Sequence, residues 1–145
     1  MMRSLFTSVV LLLGALLSGA ATLAPSRYTA GQVWEYHHRP QDGGSLLKIQ
    51  KIEDGGKLGM IYHLSVVGLA LRNKAAGSSL NHTPVSQATL DASVTRLSQV
   101  VVDWPDVDPG IAEWRQNNGG VFTISVAKIV QIIDDQTANV AAPTS

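Results

Sequence analysis

The sequence contains no cysteine, and this absence removes several classes of chemistry at once. Disulfide bridges, thiolate zinc sites, thiol nucleophiles and lipid attachment to cysteine are all excluded. Charge is also scarce, at 15% of the 145 residues, and 11 basic residues are balanced by 11 acidic ones. The composition therefore predicts neither a polybasic surface for nucleic acid or anionic membranes nor a highly charged disordered chain.

Sequence motifs of common catalytic and metal sites are missing as well. The chain contains no Gly-x-Ser-x-Gly nucleophile motif and no His-x-x-x-His pair. The adjacent His37 and His38 are predicted to point to opposite faces of a strand, where they cannot share one metal ion. Asp103, Asp106 and Asp108 lack the spacing of a calcium loop. We therefore predict neither a metal site nor a bound cofactor.

Residues 1–20 have the composition of a secretory signal peptide. Arg3 supplies the basic start, an apolar run covers residues 5–17, and Ser18-Gly19-Ala20 provides small residues for cleavage. The apolar run is shorter than the ~20 residues that span a bilayer, so no stable membrane anchor is expected after cleavage. Export without cysteine is typical of the bacterial periplasm or exterior, and we predict a periplasmic or secreted protein.

Three β-strands are predicted in the first half of the mature chain. They are the aromatic segment 33–38, the alternating segment 46–53 and the apolar segment 60–71, separated by turns rich in glycine and aspartate. A polar loop is predicted to follow over residues 72–83.

The second half has helical periodicity. Ser86 is suited to cap a helix whose apolar residues recur at helical spacing. These residues are Leu90, Val94, Leu97 and Val101. Val94 and Leu97 lie on this stripe and should both be buried, so truncation of Leu97 to alanine is expected to cost about 2–5 kcal/mol.

Two shorter helices are predicted beyond this stripe. Asp108-Pro109 is typical of a helix start and predicts a helix that ends near residue 116. A last helix is predicted from about residue 125 to residue 135, with a strand over residues 121–126 as the alternative. Residues 135–145 contain little apolar material and are predicted to form a flexible tail.

The order of these elements predicts an α+β domain over residues 26–134. Its expected architecture is a three-stranded antiparallel meander followed by two to three helices packed on one face.

Two turns carry the candidate binding residues. Arg39 and Asp42 lie at the predicted tip of the first hairpin, and Trp104 and Asp106 lie in a proline-containing loop between helices. Side chains in turns are free of core packing, and proline lowers the entropy that is lost on binding. An exposed tryptophan is also typical of a protein contact. These four residues are therefore predicted to bind a protein partner.

His63 and His82 are the candidates for catalysis. Imidazole is the common general base near neutral pH, and a carboxylate usually orients it. The sequence does not assign that carboxylate. If the protein is an enzyme, we expect His63 to lie within about 3 Å of a carboxylate inside a pocket.

Several stretches of the sequence together resemble a family of small bacterial exported proteins. The resemblance rests on Gly31–Tyr36 with Arg39-Pro40, and on His63–Leu69, Leu90–Val94 and Gly120–Val126. It extends over about residues 31–133 and implies a bacterial origin and a single domain. The family's activity is uncharacterised, so the resemblance implies no reaction.

The absence of catalytic motifs favours an exported, non-enzymatic binding module. Its most specific form is an immunity-type inhibitor that neutralises a toxin in the periplasm. The alternative is a small hydrolase that acts on envelope material through His63 or His82 and a nearby carboxylate.

Overall fold

The computed structural model describes residues 26–140, so the predicted signal peptide lies outside the described residues. Within this range five strands and three α-helices follow one another. The strands are β1 (Val33–Tyr36), β2 (Leu46–Asp54), β3 (Met60–Val67), β4 (Leu80–Ser86) and β5 (Val94–Leu97). The helices are α1 (Gln87–Ser93), α2 (Asp108–Gln116) and α3 (Val126–Thr137).

The strands form one antiparallel sheet in the order β4-β3-β2-β1-β5, which confirms the α+β class. The three predicted strands are neighbours in this sheet, and two further strands extend it to five. β3 ends at Val67 instead of residue 71, because Gly68 has a φ of +76°. None of the helices within residues 26–140 has both the length and the apolar character that crossing a membrane requires.

Residues 80–83 of β4 lie in the segment that is predicted to be a loop. Asn81, His82 and Thr83 are polar, and the following Pro84 cannot donate a hydrogen bond to a ladder. An edge position tolerates proline, and β4 is the last strand of the sheet on this side. Beyond β4, Phe122 forms a single parallel bridge with Val85. The strand alternative for residues 121–126 is limited to this bridge.

The helix that follows Ser86 is shorter than predicted. The Ser86 hydroxyl accepts a backbone N–H bond as the expected cap, but α1 ends before Val94, which adopts an extended conformation. The β-branched Val94 and Thr95 favour a strand, and pairing with β1 satisfies their backbone. Val94 is buried, whereas Leu97 is 49% exposed and Val101 is 96% exposed. The prediction that Val94 and Leu97 are both buried is therefore confirmed for Val94 and wrong for Leu97.

The two faces of the sheet are covered by different helices. One face packs against α1 and α3. The main side chains of this core are Trp34, Tyr36, Leu47, Ile49, Tyr62, Leu64, Val66, Leu90, Val94, Val126, Ile129 and Val130. On the opposite face, Gln50 Nε2 donates to the Pro105 carbonyl at 3.2 Å, and His63 contacts Trp114 of α2. Helices therefore lie on both faces, and not on one as predicted.

The last predicted helix is confirmed as α3. Ser125 caps it by accepting a hydrogen bond from the backbone N–H of Lys128. The helix continues to Thr137, so residues 135–137 are helical and do not belong to the predicted tail. Residues 141–145 lie outside the described residues.

Candidate functional site

Arg39 and Asp42, the predicted binding pair of the first hairpin, lie inside the protein. Arg39 is 7% exposed and Asp42 is 1% exposed. The Arg39 guanidinium donates to the two Asp42 oxygens at 2.6 and 3.0 Å and to Asp134 Oδ2 at 2.9 Å. The expectation of an exposed hairpin tip is wrong, because residues 40–42 form a 3-10 turn and the side chain of Arg39, just before it, reaches Asp134 of α3.

This buried network leaves Arg39 no free donor for a partner. Two further hydrogen bonds, to Gln131 Oε1 and to the Ala70 carbonyl, complete its five N–H groups. Asp134 also accepts from the backbone N–H of Arg72, and this bond together with Arg39 holds the pKa of the Asp134 carboxyl below its ordinary value. Such a fully bonded network supports the fold.

The two predicted binding residues of the second loop differ in their exposure to solvent. Trp104 is half-buried, and the Lys48 ammonium nitrogen lies 5.9 Å from its ring centroid. Asp106 is exposed, and its Oδ1 accepts from the backbone N–H of Asp108 at 2.9 Å. Among the four predicted binding residues, only Asp106 lies at the described cleft that His82 lines.

His63 and His82 form a hydrogen-bonded chain with Glu53, which we call the relay. His63 Nδ1 lies 2.8 Å from His82 Nε2, and His63 Nε2 lies 2.5 Å from Glu53 Oε1. His63 is 1% exposed, so the middle of the relay is shielded from water, whereas the Glu53 side chain is 32% exposed. This is the histidine–carboxylate distance that the hydrolase alternative requires.

The register of the sheet assembles the relay from three neighbouring strands. A bulge in β2 brings Lys51 opposite His63 of β3 and leaves Glu53 on the same face. β4 pairs Pro84 with His63. His82 lies two residues before Pro84, and residues two apart on a strand share a face. The relay therefore depends on the register of the β2–β3 hairpin and on the pairing of β4 with β3.

Helix α2 covers the relay from the open side. The Trp114 ring lies edge-on to both imidazoles, with ring centroids 5.1 Å from His63 and 6.4 Å from His82. The indole Nε1 donates to the Gly120 carbonyl at 2.9 Å and is held in place by this bond. A Cβ at Gly110 would lie 2.4 Å from the Cβ of His82, so this approach of α2 requires glycine.

Charge and burial set the protonation of the two ends of the relay. The hydrogen bond from His63, followed by that from Arg115 at 2.9 Å, lowers the pKa of the Glu53 carboxyl. Burial, followed by the charge of neighbouring His63, lowers the pKa of His82 to about 4. At neutral pH Glu53 is therefore ionised and His82 is uncharged.

One arrangement of the imidazole protons leaves a nitrogen of His82 without a hydrogen-bond partner. Ionised Glu53 accepts from the Nε2–H of His63, and the relay is continuous when His82 donates its Nε2–H to His63 Nδ1. Neutral His82 then carries its lone pair on Nδ1. This nitrogen has no hydrogen-bond partner among residues 26–140 and is free to accept a proton.

The two ends of the relay open into two clefts separated by Trp114. The first cleft has a volume of about 620 Å³, and His82, Asp106 and Glu113 lie on its wall. The second cleft has a volume of about 420 Å³ and is lined by Glu53 and other residues. Trp114 lines both clefts. A ligand in the first cleft therefore meets His82 directly.

Within residues 26–140 no group of three or more histidine, aspartate or glutamate side chains is arranged to hold a metal ion. No serine or threonine hydroxyl in this range hydrogen-bonds to His82. In the first cleft the imidazole of His82 lies beside the carboxylates of Asp106 and Glu113, and an imidazole in such a place can take up or release a proton.

Three residues of this site were not predicted as site residues, namely Glu53, Trp114 and Arg115. Glu53 could have been found by pairing the two predicted strands across their turn, because it then falls near His63 on one face. Trp114 and Arg115 carry no such signal, since the sequence does not say which face α2 covers.

Comparison of the chain with protein-family models finds no match, and comparisons with curated proteins and with solved structures find no significant similarity. The resemblance to small bacterial exported proteins therefore stays a prediction.

Proposed function

We propose that the protein is a small hydrolase in which His82 acts as the general base. The observation that carries this proposal is the relay, which ends at the wall of a cleft in an imidazole nitrogen without a partner. A carboxylate that orients an imidazole is the usual support for a histidine base.

The proposed reaction uses water as the nucleophile. A water molecule in the first cleft attacks the scissile bond and gives its proton to Nδ1 of His82. His82 then carries a positive charge at one end of the relay, and the ionised Glu53 lies at the other end. The same proton returns from Nδ1 to the leaving group when the bond breaks, so the relay ends in its starting state.

The proposed substrate is a polar component of the cell envelope. The wall of the first cleft is polar, with carboxylates from Asp106 and Glu113 and the carboxamide of Asn81. These groups suit a substrate that donates hydrogen bonds. The export predicted from residues 1–20 would bring the protein to such material in the periplasm or outside the cell.

The test compares His82→Gln with a matched histidine variant. Hydrolysis of p-nitrophenyl acetate and of dye-labelled peptidoglycan is measured for the exported protein. His82→Gln should lower the rate by about 10²–10⁴-fold, because the general base is lost. His37→Gln removes an exposed histidine outside the relay and should leave the rate unchanged. Equal rates for the wild type and both variants would contradict the proposal.

We also propose a second function, the binding of a protein partner at the open edge of β5. Within the described residues β5 pairs with β1 on one side only. Val100 and Val101 follow this edge and are both exposed. An unpaired strand edge beside apolar side chains suits a partner that adds an extended strand to the sheet. If the protein is an immunity-type inhibitor, the edge of β5 is the surface that would bind the toxin.

To test strand addition, cell-envelope proteins are passed over the immobilised wild-type protein, and the proteins that it retains are identified. Val101→Lys should release a specific partner, because a charge replaces an apolar contact. Ile132→Lys changes an exposed apolar residue of α3 and should retain the same partner. Release by both variants, or by neither, would argue against this edge as the binding surface.

A further inference from the structure

Two ion pairs connect α2 to β2, and only one of them ends on the relay. Lys51 Nζ lies 2.6 Å from Asp108 Oδ1 near the start of α2. Arg115, in the last turn of α2, donates to Glu53 Oε2 at 2.9 Å. Both pairs are largely solvent-exposed, so their contributions to stability are expected to be similar and small.

The carboxylate of Glu53 needs this second partner to keep its orientation. Oε1 receives the hydrogen bond from His63, while Oε2 receives the one from Arg115. Because the Glu53 side chain is 32% exposed, water in the second cleft competes for both oxygens. Without Arg115 the carboxylate is free to rotate toward water, and Oε1 then leaves its position in line with His63.

The helix that carries Arg115 also forms a wall of the first cleft. Gly110, Glu113 and Trp114 of α2 line this cleft together with His82. A ligand that moves α2 therefore moves Arg115 relative to Glu53 as well. Helix α2 therefore connects the wall of the first cleft with Glu53 at the far end of the relay.

We propose that Arg115 is the positioning residue of this site, which holds Glu53 in line with His63 and couples the position of α2 to the relay. The inference rests on the proposed function for its effect on a reaction, but its geometric part concerns the relay alone. Arg115 touches neither His82 nor the first cleft, so it acts through Glu53.

Other charged groups surround the relay, and the test needs a control variant that accounts for them. Glu53 is accompanied by Lys51 and Asp54 of β2, and His82 faces Asp106 and Glu113 at the first cleft. Lys51→Met is the matched control for Arg115→Met, because each change removes one cation and one ion pair between α2 and β2.

The first readout is the imidazole N–H resonance of His63 in ¹⁵N-labelled protein, which needs no substrate. A short bond to a carboxylate in a buried position gives a downfield signal that exchanges slowly with water. In Arg115→Met this signal should move upfield and broaden. Lys51→Met should keep the wild-type signal, and Arg115→Lys should restore part of it, because a cation again faces Glu53.

The second readout is the rate of p-nitrophenyl acetate hydrolysis over the pH range in which the protein is folded. Arg115→Met should lower kcat by about 10-fold or more and change the pH profile, as expected for loss of a group that orients a catalytic residue. Lys51→Met should keep both kcat and the profile. An equal loss in both variants would overturn the proposal, because it would assign the effect to the attachment of α2.

The two proposals fail in different ways. If the wild type hydrolyses nothing, the proposed function is wrong, and the His63 resonance still decides the role of Arg115. If the wild type is active and Arg115→Met keeps both the resonance and the rate, the positioning role is overturned while the hydrolase proposal stands.

Discussion

At the scale of single residues, His63 is the group whose surroundings matter most. A buried imidazole costs free energy unless both ring nitrogens are hydrogen-bonded. Glu53 and His82 supply these two bonds at 2.5 and 2.8 Å. The burial that makes His63 dependent on hydrogen bonds therefore also fixes the positions of Glu53 and His82 relative to it.

The lowered pKa of His82 predicts how stability depends on pH. Its pKa falls from the ordinary 6.5 to about 4 in the folded protein. Between these values the unfolded chain binds a proton that the folded chain does not bind. Stability is therefore fully present above pH 6.5 and decreases as the pH falls toward 4.

Urea unfolding of the wild type and of His82→Gln at several pH values between 7 and 4 measures this effect. The free energy of unfolding should decrease more steeply in the wild type, because the variant has no imidazole at this position. Parallel curves for the two proteins would show that His82 titrates alike in the folded and unfolded states.

At the scale of elements, the junction between α1 and β5 separates buried from exposed positions. Leu90 of α1 is fully buried in the core, and Val94 at the start of β5 is buried as well. The Ser93 hydroxyl accepts from the backbone N–H of Val126 at 2.9 Å and joins the end of α1 to the start of α3. Beyond this point the chain follows the sheet edge, and Leu97 is 49% exposed.

Two alanine substitutions, one on each side of this junction, compare the stability that a buried and an exposed leucine contribute. Leu90→Ala should destabilise the protein by about 2–5 kcal/mol, because it leaves a cavity in a closed core. Leu97→Ala should change stability by less than about 1 kcal/mol, because the side chain is half-exposed. The measurement is the free energy of unfolding in urea. Equal losses for the two variants would mean that Leu97 packs in the core after all.

At the scale of the whole molecule, the Arg39 network connects segments that are far apart in the chain. Arg39 and Asp134 are 95 residues apart, and both Asp42 and Asp134 are buried. The network also includes the backbone N–H groups of Ala70 and Arg72. One guanidinium thus joins the first turn, the segment after β3 and α3.

Removal of this guanidinium should be far more costly than removal of its exposed neighbour. Arg39→Met leaves the buried Asp42 without a cation and Asp134 with only Arg72 Nε at 3.3 Å, and it should cost about 3–5 kcal/mol. Arg72→Met should cost less than about 1 kcal/mol, because its side chain is 57% exposed and its backbone N–H remains bonded to Asp134. Guanidinium denaturation of both variants gives the comparison. Similar small losses would indicate that water reaches the buried carboxylates.

Local patterns in the sequence determined the elements that depend on neighbouring residues. The three central strands follow from alternation and turn residues, and the starts of α1 and α3 follow from the capping hydroxyls of Ser86 and Ser125. The α+β class follows from the order of these elements. The exclusion of cysteine chemistry follows from composition alone.

Tertiary structure decided the features that depend on pairing between distant segments. β5 exists because the edge of β1 accepts it, although residues 94–101 also fit a helical period. Arg39 is buried because Asp134 of α3 meets it, and the same residue would be exposed in an isolated hairpin. The relay forms because strand register and a bulge bring Glu53, His63 and His82 to one face. Apart from the hairpin contact between Glu53 and His63, these contacts join residues that are distant in the chain, and no local pattern encodes which of them will meet.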